Sequence, residues 1–128
     1  MRDVISTSDA PRSIGPFSQA VRAGGFVFVS GQVALDPATM KVIDGDVAAQ
    51  TEQTLKNVTA ILAAAGLGLA NVVRAGVYLR NMNDFAAMNA VYARHFPGEP
   101  PARTTIEVSR LPLDVLVEID AVAVAVSS

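Results

Sequence analysis

The 128-residue chain contains no cysteine. That excludes disulfide frameworks, thiolate zinc sites, iron–sulfur clusters and cysteine nucleophiles together. With one histidine in the whole sequence, multi-histidine metal sites are excluded as well. Charge is scarce: 17% of residues are charged, against about 25% in typical soluble domains. Ten Lys and Arg against twelve Asp and Glu leave a net charge of −2 and a pI near 5.2. No run of like charges could track a phosphate backbone, so nucleic acid is not the expected partner. Met1 to Thr7 carries no apolar signal-peptide core, and no apolar stretch approaches the ~18 residues that span a bilayer. The expectation is a cytoplasmic protein that does not engage a membrane. The chain also lacks GxSxG, a P-loop, HExxH, and any GxGxxG that follows a strand.

What is present is apolar: 51% of residues are hydrophobic and the mean hydropathy is +0.37. This is enough for one core, and no linker, repeat or low-complexity tract divides the chain, so residues 1–128 are expected to form one domain. The same numbers leave too little charge to cover a fully solvated surface, which predicts that some apolar surface meets another subunit.

Periodicity places the elements. Extended segments are expected at Val4–Ser6, Gln19–Arg22 and Phe26–Gln32, the last two joined by a Gly24-Gly25 turn. After a loop at Asp36–Met40, Asp46 caps a helix running to Ala65 and stopped by Gly66. Its apolar stripe is Val47, Thr51, Leu55, Val58, Ile61, Leu62 and Ala65, with Gln50, Glu52, Gln53, Lys56 and Asn57 on the polar face. The period becomes two from Val72 to Arg80, with Val73, Ala75, Val77 and Leu79 on one side. Asn83 or Asp84 caps a second helix through Phe96, closed by Pro97-Gly98. Strands follow at Arg103–Ser109 and Val115–Val126, with a loop at Arg110–Asp114 between them. The order β-β-β-α-β-α-β-β predicts an α+β fold in which two helices pack on one face of a mixed sheet. Phe26–Val29 and Ala121–Val126 are apolar on both faces, so the uncovered face requires a partner, most simply a second copy.

Glu118 lies in Val115-Leu116-Val117-Glu118-Ile119-Asp120-Ala121-Val122, where a carboxylate is costly. It is either paired, hydrogen-bonded, at a subunit seam or raised in pKa for proton transfer, or it is an edge glutamate that reaches solvent. Arg103 opens a strand behind Pro100-Pro101-Ala102, placed either as a two-pronged carboxylate fork or as half of a surface ion pair. Thr105 shares its face. Ser30-Gly31-Gln32 ends an apolar strand with small residues that admit a ligand or a bulge. Ile14-Gly15-Pro16-Phe17 presents an aromatic from a turn, which either lines a site or pins the loop. Asn89 is a mid-helix amide, and His95 reads as a structural or helix-dipole histidine rather than a base.

Taken in order, Ile14-Gly15-Pro16-Phe17-Ser18-Gln19-Ala20, Val29-Ser30-Gly31-Gln32, Asn83-Asp84-Phe85 with Asn89, Pro101-Ala102-Arg103-Thr104, Leu111-Pro112 and Val117-Glu118-Ile119 resemble the reactive intermediate deaminase (Rid, or YjgF) family from about Ile5 to Val124. The resemblance implies a chorismate-mutase-like sheet and a homotrimer with sites between subunits. It also implies an enzyme that hydrolyses C=N bonds without metal or cofactor. Its substrates would be enamines and imines such as 2-aminoacrylate, 2-iminopropanoate and 2-iminobutanoate, and its products 2-keto acids and ammonia. By the same resemblance Arg103 binds the substrate carboxylate and Glu118 orients water. Thr105 offers a backbone amide, Ser30 and Gly31 line the pocket, and Asn89 stands near the cleft. Two departures accompany it: Phe17 stands where the similar deaminases have tyrosine, and the 96–101 loop is short. The alternatives are a non-catalytic small-molecule-binding or protein-interaction module, and a ribonuclease role that an acidic chain with one histidine suits poorly.

Overall fold

The computed structural model describes residues 2–125. Three strands come first: β1 (Asp3–Ile5), β2 (Ala20–Ala23) and β3 (Phe26–Gln32). They form an antiparallel meander, with Gly24 and Gly25 at positive φ in the turn between β2 and β3. After α1 (Val47–Ala64) come β4 (Val72–Leu79), α2 (Phe85–His95), β5 (Ala102–Glu107) and β6 (Val117–Val124). The six strands form one mixed sheet in the order β1-β2-β3-β6-β4-β5. β6 inserts antiparallel between β3 and β4, while β5 lies parallel to β4 at the edge, the pairing that a helical crossover allows. The fold is α+β, as the element order predicts.

Local chemistry explains the helices. The Asp46 carboxylate accepts from the Ala49 N–H at 3.0 Å, and the chain leaves α1 through Gly66 at φ +77°. The second helix is entered differently from expectation. A 3-10 turn at Met82–Asp84 precedes it, capped by Asn81, whose side chain accepts from the Asn83 N–H at 2.9 Å; Asp84 does occupy the N-cap position of α2, but without a side-chain capping bond.

Both helices cover one sheet face. Val58, Ile61 and Leu62 of α1 pack on Ala20, Val27, Val29, Ala121 and Ala123. Leu55, with Met88 and Tyr92 of α2, packs on Ala75, Val77, Leu79, Val117 and Ile119. Fully burying each of these large aliphatic side chains contributes roughly 1.5–3 kcal/mol. The opposite face is bare in the single chain. Phe26 pairs with Val124 and Phe28 with Val122, and the two phenylalanines are 40% and 48% exposed.

Three expectations are corrected. Val73 does not share the face of Ala75, Val77 and Leu79: the register against β6 shifts between Val72 and Arg74, and this bulge leaves Val72 buried and Val73 exposed. Gln50 and Asn57 are buried rather than on the solvated side of α1. The last strand begins at Val117, two residues later than expected, and Val126 lies outside the described residues.

Candidate active site

Glu118 sits on β6 opposite Tyr78, in the row that alternates with buried Val117, Ile119 and Ala121, so it projects from the helix-free face. Its carboxylate lies against the backbone of Gly31, where an added Cβ would meet the Glu118 Oε2 and come within 2.9 Å of its Cδ. Gly31 is therefore required by close approach, not by backbone conformation. Among the described residues no cation lies within ion-pair distance of Glu118. Partial burial, and secondarily the charge of Asp120 two residues along the strand, hold its pKa above the usual carboxylate value. Asp120 is itself fixed, accepting from the Gly76 N–H and the Tyr78 hydroxyl, each at 2.9 Å.

Glu118, Gly31, Ser30 and Phe17 line one cavity of about 440 Å³, walled further by Leu35 and Leu113. Ser30 donates its hydroxyl to the Ser18 carbonyl at 2.6 Å, which ties the Phe17 turn to β3. Two buried amides that the sequence alone does not single out support the wall: Gln19 lines it, and Asn57 holds the Val33–Leu35 segment that does. Gln19 donates to the carbonyls of Thr7 (3.0 Å) and Pro11 (2.8 Å) and accepts from the Thr7 N–H at 2.7 Å. Asn57 donates to the carbonyls of Val33 (3.0 Å) and Leu35 (2.9 Å).

Arg103 belongs to a different place. On the edge strand it is in register with Ala75, hence on the helix-covered face. Its guanidinium lies over the Tyr92 ring at 4.7 Å and the Phe85 ring at 5.6 Å. Phe96 stacks on Tyr92 with centroids 4.5 Å apart. No carboxylate within 4.0 Å pairs with it among the described residues, so the surface ion-pair alternative does not hold. Arg103 and Asn89 line a cavity with Tyr92, Phe96 and Pro101. Two buried polar atoms of its lining residues have no partner, Asn89 Oδ1 and Tyr92 Oη, and a third, Thr105 Oγ1, lies farther along the Arg103 face of β5. Burial raises the Tyr92 pKa, with Arg103 opposing that shift. Nothing in the sequence singles out Phe85 and Tyr92 as a clamp on Arg103; that contact follows from the edge position of β5. His95 is structural as expected, paired with Glu52 of α1 at 3.0 Å, and that contact holds the Glu52 pKa below its usual value.

The seven expected site residues thus form two groups, and one chain does not join them. Phe17, Ser30, Gly31 and Glu118 gather on one cavity and Asn89 and Arg103 on the other, with Thr105 farther along the Arg103 face of β5 and Glu118 and Arg103 on opposite faces of the sheet. Among the described residues no cluster of three or more acidic or histidine side chains is arranged to hold a metal ion. No helix among them is long and apolar enough to cross a membrane.

Comparison with known proteins gives concordant results. The chain is 54% identical over 123 residues to a RutC family protein of Pyrococcus horikoshii, covering 96% of this chain and 98% of the relative. It is 46% identical over 124 residues to the 2-iminobutanoate/2-iminopropanoate deaminase of Mus musculus, covering 97% and 92%. The crystal structure of RidA from an Antarctic Psychrobacter superposes with a TM-score of 0.92 at 39% identity, covering 95% and 98% of the two chains. The model of the Endoribonuclease L-PSP family matches residues 7–125. With that match spanning nearly the whole chain, and with Rid and RutC proteins as its relatives, this protein belongs to the Endoribonuclease L-PSP family, the family of the YjgF, RutC and Rid proteins.

Proposed function

We propose that this protein hydrolyses 2-imino acids to 2-keto acids and ammonia, at sites shared between subunits of a homotrimer. One observation carries the reading: a carboxylate of raised proton affinity and an unpaired arginine each line an open cavity, on opposite faces of one sheet. A second copy packed on the bare Phe26–Phe28 face closes that distance, with Arg103 of one subunit facing Glu118 of the next. The activity named for the mouse relative supports this choice among family chemistries.

The chemistry asks little of the protein. The imine carbon is electrophilic, so the chain must hold the substrate, place one water and move protons. Arg103, kept extended by its aromatic clamp, binds the substrate carboxylate through two parallel hydrogen bonds. Glu118 takes a proton from water as the water oxygen bonds to the imine carbon, and passes it to the nitrogen. The remaining hydroxyl proton moves to nitrogen as the C–N bond breaks, so one imine and one water yield one ketone and one ammonia. A carboxylate with raised proton affinity suits both directions of this transfer. Asn89, Ser30 and Gly31 line the pocket, Thr105 offers its backbone amide beside Arg103, and Phe17 contributes apolar surface in place of a hydroxyl. The net charge of −2 and single histidine favour a small anionic substrate over RNA, despite the ribonuclease name of the family.

The test is a coupled assay in which 2-iminopropanoate and 2-iminobutanoate are generated in situ and their disappearance is followed with and without the protein. Accelerated loss that Glu118→Gln reduces by about 10²-fold while 2-ketobutyrate still binds is the expected result. Binding without acceleration by the parent protein would move the reading to a non-catalytic module.

A further inference from the structure

Two consecutive non-glycine residues, Leu113 and Asp114, occupy the left-handed region at φ +57° and +54°. Such conformations are disfavoured for residues with a Cβ and persist only where flanking structure enforces them. Here it does. Leu111 and Val115 on either side are buried, and the Asp114 carboxylate lies 3.2 Å from Arg110 Nε and 3.8 Å from Arg80. The result is that Leu113, a large apolar side chain, is held 56% exposed at the wall of the Glu118 cavity. Ile14 and Phe17, from the turn that Ser30 ties to β3 through the Ser18 carbonyl, are exposed on the same cavity. The one cation on this cavity, Arg12, is exposed and therefore solvated.

We infer that Leu113, presented by this strained turn, is a specificity-determining residue: with Ile14 and Phe17 it forms an apolar subsite beside Glu118 that selects 2-imino acids with aliphatic side chains of several carbons over small, amide-bearing or acidic ones. The inference rests on the deaminase reading and adds to it the substrate class and the residue that sets it. A polar substrate side chain placed against these three residues loses its water and gains no partner. An isobutyl side chain gives up only unfavourably hydrated surface.

The experiment measures kcat/KM for imines made in situ by an amino-acid oxidase from leucine, alanine and glutamine, with unreacted imine trapped by semicarbazide. The parent protein is expected to prefer the leucine-derived imine. Leu113→Ala should lower the leucine-to-alanine ratio about tenfold, the scale of a few methylenes in an apolar pocket. Leu113→Lys should lower it at least as far. Leu113→Gly, which relieves the left-handed strain and should melt higher than Leu113→Ala, should lose selectivity equally, showing that the side chain and not the turn is read. Ratios that stay within twofold of the parent in all three variants overturn the inference while leaving the deaminase reading intact. A parallel fall on every imine together with loss of oligomer also overturns it, by making Leu113 an interface residue. If the parent hydrolyses none of the imines, the deaminase reading itself fails and this inference with it.

Discussion

Gly31→Ala tests the placement of Glu118 with a single methyl group. Gly31 is not at positive φ, so alanine is compatible with the backbone there. Its Cβ, however, would lie 2.9 Å from the Glu118 Cδ and 3.2 Å from Cγ, with the Oε2 closer still, where ordinary contact begins at 3.4 Å. The carboxyl carbon must therefore retreat by at least about 0.5 Å (3.4 − 2.9) and its oxygen by more, which a glutamate side chain accommodates by rotation rather than unfolding. Misplacing a catalytic group by about 1 Å costs on the order of 10²-fold in rate, equivalent to about 2.7 kcal/mol of transition-state stabilisation. The expected result is a ~10- to 100-fold fall in kcat/KM for imine hydrolysis with an unchanged far-ultraviolet spectrum and oligomeric state. Activity within about threefold of the parent would refute both the close approach and the role given to Glu118.

Three further outcomes follow from the geometry. Arg103→Ala should abolish nearly all imine hydrolysis, and Arg103→Lys should recover little, because an ammonium cannot form the two-pronged contact or stack between Phe85 and Tyr92; near-normal rates in the lysine variant would show that charge alone suffices. Glu118→Gln should raise the melting temperature at pH 7. The folded-state pKa of Glu118 lies above its unfolded value, so its contribution is fully present below the unfolded pKa and is lost as pH rises through the folded one; the gain from the amide should vanish in acid, and a variant that melts lower at pH 7 contradicts this sign. Asn57→Leu should cost about 2–4 kcal/mol in urea unfolding, because two buried carbonyls, of Val33 and Leu35, lose their donor; a loss below ~0.5 kcal/mol would mean that water replaces the amide.

Much of this fold is legible in the sequence because its elements obey their periods. Asp46 and Gly66 bracket α1, and the alternation around Glu118 gives β6 its two faces before any pairing is known. The misreadings of Gln50, Asn57 and Val73 share a cause: each depends on a partner distant in sequence. Gln50 and Asn57 read as solvated because they are polar, yet Gln50 accepts from the Leu116 N–H at 2.8 Å and Asn57 satisfies the loop after β3. Val73 follows the period-two pattern on paper, and only pairing with β6 shows the bulge that turns it outward. The candidate site residues stand out by residue type and by the family resemblance. Their division into two groups was not legible, because the face of Arg103 follows from the parallel register of β5 on β4 and that of Glu118 from the antiparallel register of β6. The expectation of a second copy rests on the charge-poor composition and on the exposed Phe26–Phe28 face of the single chain.

The central claim is that each active site takes Arg103 from one subunit and Glu118 from its neighbour, and subunit mixing tests it directly. Arg103→Ala and Glu118→Gln proteins, each nearly inactive alone, are unfolded together in equal amounts and refolded. In a cyclic trimer assembled at random, three-quarters of the assemblies contain both kinds of subunit and regain one intact site of three, so the mixture should recover about a quarter of the parental activity. If instead both residues act within one chain, no combination restores a complete site, and a mixture that stays as inactive as its components contradicts the account.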